Sequence, residues 1–318
     1  MMKATAGIIP RIICVVVLIA AGCHDSAQLP DGSGAASRIP ATNELRRVLD
    51  PSYSRDAQLQ PSLDMKRAAL EAGNGGIPLL EEALNDPVRQ GLAVVGLAYL
   101  GGPKSTELLR RHYEKTGAGK SGLCFALAST GTPEDRKFLI ESLVVEDSLF
   151  GNDWYTRACA AYSLGVLRAR EAIPALERTA RKKDGRFDSA AAEAALRWIQ
   201  EDPPSVPHLS NPSERDRVIL AVLGHAIPST DRSDVFFEEQ ASRLWENRGA
   251  GWRVRTVTTE PEDTPSISFD VFITNDGQRA LCAVGLHFGH LDAIGYDYVL
   301  RKDNDTWKVV GLILTWVS

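Results

Sequence analysis

Gly96-Leu97-Ala98-Tyr99-Leu100-Gly101, Ala126-Leu127-Ala128-Ser129-Thr130-Gly131 and Ser163-Leu164-Gly165-Val166-Leu167-Arg168 superimpose. Ala195-Leu196-Arg197-Trp198-Ile199 is a fourth copy, and Ala69-Leu70 an earlier, shorter one. The marker leucines 97, 127, 164 and 196 are spaced by 30, 37 and 32 residues, a period that belongs to arrays of helices. Leu109, Leu139 and Leu176 each follow their marker by twelve residues and predict a second apolar helix in each repeat. Gly101-Gly102-Pro103 and Gly131-Thr132-Pro133 supply the breaks between helices. Ile77-Pro78 and Ile173-Pro174 put proline in a first helical turn, where its missing N–H costs nothing. Small residues crowd the first helices, as in Ala158-Cys159-Ala160-Ala161 and Ala190-Ala191-Ala192, and permit close helix approach.

The Arg157–Leu176 stretch, with its Ala-Ala, Ser-Leu-Gly and Ala-Ile-Pro-x-Leu elements, resembles HEAT-like repeats of the type also found in phycobilisome lyases. The resemblance covers residues 65–201. It implies an α-solenoid of helix pairs with a concave binding face, and is nearly silent about chemistry. Chromophore lyase activity belongs to some family members only, and no residue here indicates it. In such stacks the second helices line the concave side. That places Arg110, Arg136 and Arg178 on an outward stripe and makes them the expected contacts for a protein partner, since arginine suits carboxylate recognition.

Upstream, Lys3 and Arg11 precede an uncharged run from Ile12 to Gly22, which ends in Ala20-Ala21-Gly22 before Cys23. The run is short for a spanning helix of ~20 residues and has the proportions of a secretory leader. The small residues before Cys23 resemble a bacterial lipobox, with Ala20 where that motif usually has Leu. The resemblance implies a signal peptide over residues 1–22, lipidation at Cys23 and an exported lipoprotein held on a membrane. Ordinary secretion or an uncleaved anchor stay open. Residues 23–64 are expected to form a tether, rich in Gly and Ser, with a short helix from Asn43 to Leu49.

Residues 202–212 hold four prolines and mark a linker. Asn211-Pro212-Ser213-Glu214 is a helix start with Asn211 as the cap, and Val218, Ile219, Val222 and Leu223 give that helix one apolar face. Alternation in Trp252–Val257, Ser266–Thr274 and Tyr296–Leu300 then predicts strands. Asn275-Asp276-Gly277 reads as a hairpin turn into Arg279–Phe288, and Lys302-Asp303-Asn304-Asp305 as a second into Trp307–Val317. Residues 213–318 are therefore expected to form a small α+β domain with an antiparallel sheet. Tyr296-x-Tyr298-x-x-Arg301 and Trp307-Lys308-Val309-Val310 are similar to the last hairpin of NTF2-like domains, which implies a sheet wrapped on helices.

The 318-residue chain has 44% hydrophobic and 24% charged residues, an ordinary globular composition with formal charge −5. By region the charge is −2 over 23–64, +1 over 65–201 and −6 over 202–318, so no part is a basic platform and nucleic acid is not an expected partner. Beyond the leader and Cys23, Cys124, Cys159 and Cys282 are odd in number and widely spaced, which suits small buried hydrophobes better than a disulfide framework. A Cys124–Cys159 pair stays open.

Four constellations could carry chemistry. Gly117-Ala118-Gly119-Lys120-Ser121 imitates a phosphate loop, but Glu114 replaces the first glycine and a helix precedes it where the motif needs a strand. His287 and His290 with Asp292 could ligate a metal, though the spacing suits a helix rather than a strand end. Glu238, Glu239 and Asp270 are the carboxylates that could divide acid and base roles, set against ordinary surface charge. The basic run Arg178, Arg181, Lys182, Lys183, Arg186 fits the end of a helix, with an acidic-partner contact as the alternative, and Trp198, Trp245, Trp252, Trp307 and Trp316 are expected in the core rather than as binding platforms. The resulting expectation is a non-catalytic envelope scaffold or adaptor with no cofactor and no metal. The alternative is an enzyme or small-ligand binder with a pocket in the C-terminal domain.

Overall fold

In a computed structural model the described residues are 41–53, 61–144, 153–182, 187–201, 212–225, 236–237, 266–287 and 293–317. They are mostly helical and end in an antiparallel sheet. The expected short helix is α1 (Ala41–Leu49). The first helices of the repeats are α2 (Pro61–Ala72), α4 (Gln90–Leu100), α6 (Lys120–Leu127), α8 (Asp153–Val166) and α10 (Phe187–Gln200). The second helices are α3 (Ile77–Leu84), α5 (Gly102–Thr116), α7 (Pro133–Ser142) and α9 (Ile173–Ala180). Each first helix packs on the next first helix along the chain.

The local punctuation works as the residue types require. Proline occupies the first turn of α3, α5, α7 and α9. Thr132 caps α7 in a reciprocal box with Asp135. Four residues after each marker leucine the chain turns left-handed, at Gly101 (φ 58°), Gly131 (φ 59°) and Arg168 (φ 48°), and this reversal starts each second helix. Leu97, Leu127 and Leu164 are fully buried, as are Leu109, Leu139 and Leu176. The fourth copy departs from this pattern. Leu196 is only half-buried, while Ala195, Trp198 and Ile199 enter the core. Trp198 lies over Gly165, where a Cβ would stand 2.5 Å from the indole, so the large ring of α10 uses the space that a side chain on α8 would fill.

Helix α11 (Glu214–Gly224) presents Val218, Ile219, Val222 and Leu223 to the core as expected. Its cap is Ser213 in a box with Asp216, not Asn211, because Ser213 takes the extended conformation (ψ 164°) that aims a cap oxygen at the Asp216 N–H. Strands β1 (Phe236–Phe237), β2 (Ser266–Ile273), β3 (Arg279–His287), β4 (Ala293–Asp303) and β5 (Thr306–Val317) form one sheet in chain order. β2 to β5 are antiparallel, and the short β1 adds a parallel edge. Asn275-Asp276-Gly277 turns the first hairpin. Asn304 and Asp305, both at positive φ, turn the last. The expected strand at Trp252–Val257 lies outside the described residues, as does Cys23.

Both faces of the sheet are covered. Side chains alternate along a strand, so Asp297, Val299 and Arg301 share one face of β4 and Tyr296, Tyr298 and Leu300 the other. The first face meets the first-helix row. Tyr99 and Lys66 reach Asp297, Arg67 reaches Asp270, and Phe125 of α6 lies over Gly311. α8 runs along β5, where the Tyr155 hydroxyl donates to the Leu314 carbonyl at 3.1 Å. α11 covers the second face. Repeat helices and sheet thus share one continuous apolar core within the compact unit of residues 39–318.

Candidate functional site

The second-helix row carries the expected partner-binding arginines. Its apolar side faces the first helices, which leaves charge on the outer side. Two of the three arginines are engaged there. Arg110 Nη2 is 2.7 Å from Asp135 Oδ1, and Asp135 is itself buried. The same carboxylate closes the α7 capping box and accepts from the Thr130 hydroxyl at 2.7 Å. Arg136 Nε donates to the Gly131 carbonyl at 3.1 Å, and its Nη1 is 3.3 Å from Glu171, just ahead of α9. With Arg111 and Glu81 at 3.3 Å, these pairs join α3 to α5, α5 to α7 and α7 to the α9 turn. Arg178 is exposed in the last turn of α9, with no ion pair among the described residues. Arg181 follows at the C-cap and pairs with Glu177 at 3.2 Å. Arg178 and Arg181 therefore sit where they complement a helix C-terminus. Lys183 and Arg186 lie outside the described residues.

A second polar cluster joins helices to sheet. Asp297 is buried and accepts from Lys66 Nζ at 2.7 Å and from the Tyr99 hydroxyl at 2.6 Å. Burial, and then the Asp297 charge, hold the Tyr99 phenol well above its usual pKa. Alongside, Arg279 and Arg301 stand opposite each other on β3 and β4. Arg279 Nη1 donates to the Leu70 carbonyl and Arg301 Nη2 to the Leu100 carbonyl, both at 2.8 Å. Each guanidinium satisfies a carbonyl at the C-terminal end of a first helix, where the helix dipole favours positive charge. Burial, and then the neighbouring Arg279 charge, lower the Arg301 pKa. Every group in this cluster is engaged in joining elements. It offers no free acid, base or nucleophile.

The other expected residues fall as follows. Asp270 is an exposed carboxylate 2.6 Å from Arg67, an ordinary surface pair. Glu238 and Glu239 lie outside the described residues, as do His290 and Asp292, while His287 ends β3. No group of three His, Cys, Asp or Glu among the described residues could hold a metal. Gly117-Ala118-Gly119 is the turn from α5 to α6, and Lys120 Nζ sits 5.9 Å from the Tyr113 ring and 5.7 Å from the Phe138 ring. The phosphate-loop geometry is not met, since helix α5 leads into it. Cys124, Cys159 and Cys282 are buried free thiols, and burial pushes Cys124 up to about 11. Trp198 and Trp307 are core residues, the latter donating to Glu214 at 3.0 Å. Trp245, Trp252 and the Trp316 side chain lie outside what the structure describes. Among the described residues no helix is long and apolar enough to cross a membrane. No family model matches the chain, and no curated protein matches it significantly.

Sequence reasoning missed Asp297, Lys66 and Asp135 as organising residues. Asp135 had a legible signal, the Thr-Pro-x-Asp capping pattern. Asp297 had none, because its partners are 198 and 231 residues away.

Proposed function

We propose that the chain is an exported, lipid-anchored scaffold or adaptor, non-catalytic, whose helix pairs form a HEAT-like solenoid that binds another envelope protein. One observation carries the choice of surface. The sheet covers the first-helix row, so the second-helix row is the face of the repeats left to a partner. Arg110 and Arg136 hold consecutive repeats together there, which makes Arg178 the arginine best placed for a partner's carboxylate. The test is pull-down from detergent-solubilised membranes with Arg178→Glu, beside its thermal melt. Loss of a partner with an unchanged melt supports the reading. Retention of every partner overturns that surface. The anchor is tested separately: Cys23→Ser is expected to move the protein from the membrane to the soluble fraction, and a wild-type protein that is already soluble refutes it.

The alternative, a ligand-binding or catalytic C-terminal region, is favoured by one observation. The Tyr298 hydroxyl and His225 Nδ1 are buried and lack hydrogen-bond partners among the described residues.

A further inference from the structure

Five rings from four elements close a circle beneath α11. Tyr162 of α8 meets Tyr296 of β4 edge to face, with centroids 6.1 Å apart, and leans on Trp198 of α10 at 6.0 Å. Trp198 meets His225, the C-cap of α11, at 4.7 Å, and His225 meets Tyr298 of β4 at 6.5 Å. Tyr298 and Tyr296 lie two apart on the same face of β4 and complete the circle. Two of its polar groups are satisfied, since the Tyr162 and Tyr296 side chains are hydrogen-bonded to each other. Two are not. Tyr298 has no exposed surface, and its hydroxyl has no partner among the described residues. The His225 side chain is partly exposed, but its Nδ1 is closed to solvent and has no partner among the described residues.

A buried donor or acceptor left unpaired carries its full desolvation penalty, and native proteins hold few of them. Two such atoms on neighbouring rings point to a molecule that bonds both. A phenol and an imidazole can each donate or accept, so the complement is a group that does both. The Arg168 charge acts on His225 and opposes a cation. We propose that this aromatic circle is a buried binding site for one neutral hydroxyl group, held between the Tyr298 hydroxyl and His225 Nδ1. The group is either an ordered water or the hydroxyl end of a small ligand. The assignment is independent of the partner surface on the second helices.

Tyr298→Phe removes one oxygen and keeps the ring. With the site occupied, Tm should fall by about 2–4 °C, the shift for a lost hydrogen bond in a protein of this size. The His225 imidazole nitrogen resonances should move in the same variant. A water cross-peak at the Tyr298 ring in the full-length wild type then identifies water. A small molecule released on denaturation and seen by mass spectrometry identifies a ligand. An unchanged or raised Tm in Tyr298→Phe overturns the proposal. So does a lowered Tm with neither water nor released molecule, which would show the hydroxyl paired within the protein. His225→Gln is the second variant. It should reproduce the fall, and combined with Tyr298→Phe it should add less than its own full effect.

Discussion

Arg157 and Asp188 are the most deeply buried ion pair among the described residues that bear on folding, with side chains 1% and 0% exposed and Nε to Oδ2 at 2.5 Å. The pair joins α8 to α10 in a setting of alanines. A buried pair offsets its own desolvation only while both partners are present. Asp188→Asn keeps the shape and removes the carboxylate charge from this pair, so urea denaturation should show a loss of about 3–5 kcal/mol. A loss under about 1 kcal/mol would mean that solvent or another group takes over the charge. His225 gives a pH prediction at the same scale. Burial, and then the Arg168 charge, lower its pKa from 6.5 to about 4. At pH 5 the unfolded chain binds a proton there and the folded chain does not. Stability contributed by neutral His225 is therefore complete above about pH 6.5 and declines as pH falls toward 4. His225→Gln should remove about one proton from that slope in melts recorded between those limits. An identical slope in the variant would assign the dependence to carboxylates instead.

At the scale of elements, the turns between paired helices decide how the sheet docks. Gly101 has φ 58°, and a Cβ there would stand 2.8 Å from Ser129 Oγ and 3.3 Å from Arg301 Nη2. The glycine is needed both for its left-handed backbone and for the close approach of the sheet arginine. Gly101→Ala should therefore cost roughly 1–3 kcal/mol. Gly91, in the first turn of α4, meets nothing within 4 Å and has no positive φ. There alanine should stabilise by up to ~1 kcal/mol through helix propensity. Opposite signs for the two substitutions, one inside α4 and one at its C-cap, read by the same denaturation curves, check the argument. Equal effects would show that the turn geometry at Gly101 is not constraining.

For the whole molecule, the sheet and the repeats are expected to unfold together because they share one core. Arg279 and Arg301 are two links between them, each bonding a first-helix carbonyl. Arg279→Ala with Arg301→Ala removes two charged hydrogen bonds, worth about 1.5–3 kcal/mol each before relaxation. A single transition, lowered in midpoint, is the expected outcome by both tryptophan fluorescence and far-UV circular dichroism. Two separated transitions in the wild type would mean that the apparent common core is energetically divided. The same architecture explains why Arg110 and Arg136 make poor probes of partner binding. Reversing Arg110 would set a second carboxylate against buried Asp135, so folding and binding would fail together.

The repeat period, the helix borders and the hairpins were legible in the chain because each depends on nearby residues. Proline in a first turn, the Gly-Gly-Pro and Gly-Thr-Pro breaks between helices, and Asn-Asp-Gly between alternating strands all act within a few bonds. The amphipathic face of α11 was legible for the same reason, though its cap fell on Ser213 two residues past the expected one. The roles of the charged side chains were not legible. Arg110, Arg136 and Arg178 look alike in sequence, yet two are tied to carboxylates 25 and 35 residues away and the third is exposed. Lys66, Tyr99 and Asp297 become one cluster only because the sheet folds back over the first helices. Burial and partner choice are set by which surfaces meet, and residues that far apart in sequence are brought together by tertiary packing alone.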